Sequence, residues 1–209
     1  MIATFAVSVM LTVTTAFQGA PVIQQSPDEL VQSLRQFRAA LPPSVPSNGV
    51  LAPSEQLRRE IYDRLWSLGA AALPALCRGL ADSDVQVRRN VALFLGVAGG
   101  DWYDPRRPRL PIDECVPFLV RALADSDDRV RGLAAQAVGT TGAAGVSAVP
   151  VLIGLLRSSS EGDRNTACIG LAGIGVAAKD ALPALKKALS DPSADVRGFA
   201  QRAIERIER

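Results

Sequence analysis

The chain contains no histidine. That absence removes nucleophile–imidazole pairs, imidazole general bases and every metal site built on imidazole ligands. Aromatic residues are scarce, at 5%, and are not grouped into a platform on which nucleobases could stack. Charge of one sign is missing too. The 23 basic and 21 acidic residues leave a net +2, too little for a large one-sided field. Only Cys77, Cys115 and Cys168 are present, with no CxxC pair, which argues against zinc. The close carboxylate pairs Glu60/Asp63 and Asp113/Glu114 stand beside no recognisable nucleophile or glycine-rich phosphate loop. From this inventory we expect no catalytic residue, no cofactor and no metal. What is plentiful is apolar: 48% of 209 residues, ample for a buried core.

Residues 1–27 carry no charged side chain, and residues 2–17 are mostly apolar. Such a run beside a start methionine reads as a secretory signal, giving residues 1–20 as a signal peptide or apolar N-terminal segment and an exported protein. Small residues at Thr14-Thr15-Ala16, or Ala20, offer cleavage contexts. A retained anchor is the rival, and only then would the membrane be a partner. A cytoplasmic location is the third alternative.

A repeat governs the rest. Pro74, Pro117, Pro150 and Pro183 head four units, at steps of 43, 33 and 33 residues. Ten extra residues therefore lie between the first and second units. Leucine follows each proline by two residues (Leu76, Leu119, Leu152, Leu185) and by six (Leu80, Leu123, Leu156, Leu189). With the residue preceding each proline, this spacing makes one helix face. Proline is tolerated in a first helical turn, so a helix A begins just ahead of it, with Ser147 and Asp180 as candidate caps or first-turn acids. Turns at 82–84, 125–127, 158–160 and 191–193 follow, rich in Asp and Ser. Helix B comes next, with Val87, Val130 and Val196 in an apolar column broken by Asp163, and stop glycines Gly99, Gly142 and Gly175. Residues 54–69 match helix B of a degenerate unit, and 27–40 its helix A. The division is 1–20, then 21–53 as linker and cap helix, then 54–209 as one all-α solenoid of stacked antiparallel helix pairs.

The pattern P-x-L-x3-L, an acidic turn, V-R and a closing glycine resembles HEAT repeats. It is most similar to the short HEAT-like units of phycobilisome-lyase-type repeat proteins, over about 54–209. The resemblance implies a monomeric α-solenoid that acts as a non-catalytic scaffold for another protein. One alternative it implies is a lyase-like enzyme subunit, or a chaperone of a chromophore-bearing partner. A second is a nucleic-acid-binding helical-repeat protein, which the near-neutral charge disfavours. An iron-dependent hydroxylase branch of the same class needs His-Glu ligands, which a chain without histidine lacks.

Two constellations stand out. Arg88, Arg131, Arg164 and Arg197 each fall 14 residues after a heading proline. They could grip phosphates or acidic partners. Alternatively they bond turn acids and carbonyls of their own or the next unit, with Asp82, Asp125 and Asp191 as partners. Recurrence with the repeat favours this structural ladder. The insertion carries Trp102, Tyr103, Arg106, Arg107 and Arg109, residue types enriched at binding hot spots. It reads either as a partner-binding loop or as a loop packed back on the stack. Cys77 and Cys115 lie on neighbouring A helices, five residues apart in register. That means an axial offset of roughly 7 Å and a helix spacing of roughly 8–10 Å, and it argues against a disulfide.

Overall fold

The computed structural model describes residues 22–37, 53–100 and 107–209. The expectations for residues 1–20, for residues 38–52 of the 21–53 linker and cap segment, and for Trp102, Tyr103 and Arg106 lie outside them. The described residues form an α-solenoid without strands. Helices α1 (Pro27–Ser33) and α2 (Pro53–Leu68) make the first, irregular unit. The four regular units pair short A helices with longer B helices. These are α3 (Leu73–Gly79) with α4 (Val85–Ala98), and α5 (Val116–Ala122) with α6 (Asp128–Thr140). Then come α7 (Val149–Leu155) with α8 (Glu161–Ile174), and α9 (Leu182–Ala188) with α10 (Ala194–Ile207).

The repeat columns explain this layout. Each A helix takes its proline in the first turn, where no N–H is missed. None has a side-chain cap. Ser147 and Asp180 instead lie inside 3-10 lead-ins, which run Gly142–Ala148 and Gly175–Ala181. Each B helix is capped by the residue ten after the proline. Asp84, Asp127, Ser160 and Ser193 accept N–H bonds from Gln86, Val130, Asp163 and Val196, satisfying first-turn donors. Gly142 and Gly175 turn the chain into the next lead-in with φ of 56° and 69°, a region that favours glycine. Gly99 differs. Its φ is −79°, because the chain leaves here into the insertion and not into a lead-in. A Cβ there would sit 2.4 Å from Thr140 Oγ1 and 2.6 Å from Ile112 Cδ1, so both side chains would have to move to admit one.

Leu76, Leu119, Leu152 and Leu185 are fully buried, as are Val87, Val130 and Val196 of the B helices. The B helices lie against one another far more closely than the A helices do, and small residues permit this. Gly96 faces Ala137, and a Cβ on Gly173 would stand only 2.4 Å from the Gly139 Cα. The irregular unit is pinned differently. Buried Asn90 of α4 donates to the carbonyls of Leu34 (3.1 Å) and Phe37 (2.9 Å). Tyr62 and Trp66 of α2 meet Phe94 edge-on, at 5.2 and 5.8 Å between ring centroids.

One expectation is overturned. Cys77 and Cys115 are disulfide-bonded, with Cα atoms 5.0 Å apart. The register argument set successive A helices side by side. In the fold they are staggered, and the 3-10 lead-in of the next unit, more than its A helix, packs against the preceding A helix. Cys115 ends the lead-in Ile112–Cys115, so the stagger carries it onto α3 beside Cys77. Its column (Ala72, Cys115, Ala148, Ala181) is fully buried, and small side chains there let the backbones approach within disulfide reach.

Candidate partner-binding site

The ladder arginines are held at two points. Nη1 of each donates to carbonyls of its own turn: Arg88 to Asp82 and Ser83, Arg131 to Asp125 and Ser126, Arg164 to Ser158 and Ser159, Arg197 to Asp191 and Pro192. The other edge reaches the next unit. Arg88 makes a two-bond fork to Asp125 (2.8 and 3.1 Å), and Arg164 one to Asp191 (2.7 and 2.9 Å). Arg131 donates from Nε to Asp163 at 2.7 Å. Paired guanidinium–carboxylate bonds of this kind are among the stronger polar contacts. In the first three units the guanidiniums are therefore spent on fastening repeat to repeat. Before Asp82 the arginine column holds Arg58, which pairs with Glu55 of its own helix. Asp82 accepts from Gln32 of α1 at 2.7 Å.

Two ladder members escape sequence reasoning. The third unit's turn offers Ser158 where the others offer Asp, and the carboxylate comes from Asp163, five residues on. Ser158 Oγ donates to Asp163 Oδ2 at 2.8 Å and helps orient it. The signal was available: Asp163 is the one acid in a valine column, in the one unit whose turn lacks Asp. A parallel rung joins Arg89 to Asp127 (2.9 Å). The Arg89 hydrogen bond, opposed by burial, lowers the Asp127 carboxyl to about 2.

The described end of the insertion is anchored to α2. Arg107 donates to Asp63 at 2.6 Å, and its guanidinium lies 5.0 Å from the Trp66 ring centroid. Trp66 Nε1 donates to the Pro108 carbonyl at 3.0 Å, and the Leu110 N–H donates to Ala98 at 2.8 Å. Leu110 and Ile112 are buried. Arg107 thus has a packing role here, while Arg109 is exposed. Sequence reasoning missed Asp63 and Trp66 because their partner lies about forty residues away with no shared column.

Between the ladder and the core columns, the B layer presents Gln136 of α6 and Gly198 of α10 exposed and Gly132 of α6 and Asn165 of α8 half-buried. These four are uncharged, while their columns carry Arg89 on α4 and Arg202 on α10. Gln201 does not join them. Its column is Ala92, Ala135 and Cys168, all buried, and Gln201 stands on the outer face of α10. On the opposite layer a groove of about 280 Å³ opens between α7 and α9, floored by Ile153, Leu156, Ala184 and Ala188. Cys168 is buried, and burial pushes its thiol up to about 12, so it is neither a nucleophile nor a ready metal ligand. Among the described residues no cluster of three or more acidic or cysteine side chains could hold a metal.

Comparison with known proteins fits this geometry. Residues 106–172 match the family model for HEAT repeats. No curated protein sequence matches the chain. Among solved structures, the chain is similar to the complex of CpcE and CpcF of phycocyanin lyase from Nostoc, at 25% identity and a TM-score of 0.56, covering 92% of this chain and 67% of that one. It is also similar to an engineered protein solved by a structural genomics consortium, at 23% identity and a TM-score of 0.56, covering 87% and 79%. A designed armadillo repeat protein in complex with the peptide (KR)4 matches at 20% identity and a TM-score of 0.55, covering 89% and 88%.

Proposed function

We propose that this HEAT-repeat solenoid is a non-catalytic scaffold that binds another protein through the solvent-facing row of its B helices. The observation that carries the reading is the contrast between layers of charge. The ladder cations of the first three units are consumed between repeats, and the B-layer positions Gln136 and Gly198, exposed, with Gly132 and Asn165, half-buried, carry no charge. A neutral surface with few long side chains suits protein contact, not phosphate. The test is affinity capture of the protein from its own host, comparing wild type with Gln136→Glu. Gln136 is exposed on α6, so the variant folds. Loss of a specific co-purifying protein supports the reading, and identical recovery overturns this face as the site.

A second reading, a lyase-like subunit or a chaperone of a chromophore-bearing protein, is favoured only by the similarity to the phycocyanin lyase complex. We further propose export. The apolar N-terminal run and the buried Cys77–Cys115 disulfide both suit an oxidising compartment. Thiol counting on protein taken directly from the host tests this: one free thiol is expected, and three would overturn it.

A further inference from the structure

The fourth rung of the ladder is set but not filled. Nη1 of Arg197 donates to the Asp191 (2.7 Å) and Pro192 (3.0 Å) carbonyls, as Nη1 of Arg88, Arg131 and Arg164 does in their own turns. Its guanidinium therefore has the same tether. In the three earlier units the remaining edge meets an aspartate of the following unit. At Arg197 no carboxylate among the described residues reaches that edge, and the residue is exposed.

A second observation points to the same face. Leu80, Leu123 and Leu156 are 3%, 0% and 8% exposed, whereas Leu189 of the same column is 37% exposed. This end of the solenoid thus keeps both halves of an inter-repeat contact, an apolar leucine and a tethered guanidinium fork.

We propose that the Arg197 fork, together with the exposed Leu189 of the same unit, is a docking point for an aspartate-bearing helix N-terminus of a partner protein. The occupant is a carboxylate because each of the three equivalent guanidiniums holds one, two of them as a two-bond fork. Two of those carboxylates come from the turn that precedes a B helix and one from that helix's first turn. A tethered guanidinium loses little freedom on binding, and a two-bond carboxylate contact adds geometry that a point charge lacks. This deepens the scaffold reading and depends on it only for the idea that the partner is a protein. Gln136 of the B row lies on α6, away from the Arg197 end, so one reading can fail without the other.

The test uses the full chain and a fluorescein-labelled, end-blocked peptide copying residues 121–133, whose Asp125 fills the Arg88 fork. Fluorescence anisotropy is expected to show saturable binding. The Asp125→Asn peptide, and the Arg197→Gln and Arg197→Lys proteins, should bind at least ~10-fold more weakly, the lysine variant because it keeps charge without the fork. Arg202→Gln, a charge change on the same helix, should bind as wild type does. Thermal midpoints of the variants establish that they fold, and the lysine variant covers any loss in the glutamine one. Equal binding by the Asn peptide, or by both Arg197 variants, overturns the proposal. So does an absence of binding, and so does displacement of the peptide by inorganic phosphate more readily than by free aspartate, which would make this a general anion site. The capture experiment with Gln136→Glu reports on the B row independently.

Discussion

The two ends of the solenoid use one repeat plan and hold it together differently. Between the first and second regular units the A layer is stitched by Cys77–Cys115. Between the third and fourth, the same two columns carry Ile153 and Ala181, and the groove there stays open. In the B layer the N-terminal side is filled by Tyr62, Trp66 and Phe94. The C-terminal side closes by near backbone contact at Gly139 and Gly173. Bulk and a covalent bond serve where an irregular unit and an insertion interrupt the period. Regular spacing and small residues serve where the period runs at 33. A strict repeat lets helices approach closely, and a broken one is held by other means.

The strongest way to break this comparison is at the disulfide. Cys77→Ser with Cys115→Ser should cost about 4 kcal/mol in chemical denaturation, since the bridge closes a loop of 38 residues. A cost below about 1 kcal/mol would mean that lead-in packing alone holds the N-terminal side. Next, Leu152→Ala should cost about 3 kcal/mol, because the side chain is fully buried in a unit without a covalent brace; an unchanged thermal midpoint would remove that column from the core. Gly173→Ala should cost about 2 kcal/mol, since the added methyl meets the Gly139 backbone and not a yielding side chain. Gly198→Ala on the next B helix should instead gain roughly 0.5–1 kcal/mol from helix propensity in open space. Equal effects at the two glycines would refute close approach as the C-terminal device.

The smallest effect is the dependence on pH. Asp127 titrates near 2 in the fold and near 3.8 otherwise. Its contribution is whole above about pH 4 and is lost as pH falls from there toward 2. Wild type should lose about 1–2 kcal/mol more than Asp127→Asn over that interval. Parallel curves for the two proteins would show that Arg89 does not hold this carboxyl.

Much of this fold was legible from columns. Proline, two leucines, a valine and an arginine at constant offsets give the A and B helices and which face of each is buried. The disulfide was not legible. Helix stagger depends on how lead-ins pack, and counting residues along a helix says nothing of that. The Trp66–Arg107 anchor was hidden because the insertion belongs to no column, while Asp163 was visible only as an exception whose purpose needed a partner. The uncharged positions Gly132, Gln136 and Gly198 can be read from the sequence, but Gln201 stands on the outer face of α10, in a column whose other members Ala92, Ala135 and Cys168 are buried.

Asp163 has a consequence for how such units are exchanged. The third unit moves its acid from turn to helix, and the Ser158 and Asp163 changes work as a matched set. Units that look interchangeable by length are therefore not free cassettes. A crossover between residues 158 and 163 that joined this serine turn to a valine-bearing helix would leave Arg131 facing no acid, and the reverse joint would supply two. Recombination within the array is safe only at joints that keep the turn and the first helical turn together, so the tolerated breakpoints fall inside the A helices or their lead-ins.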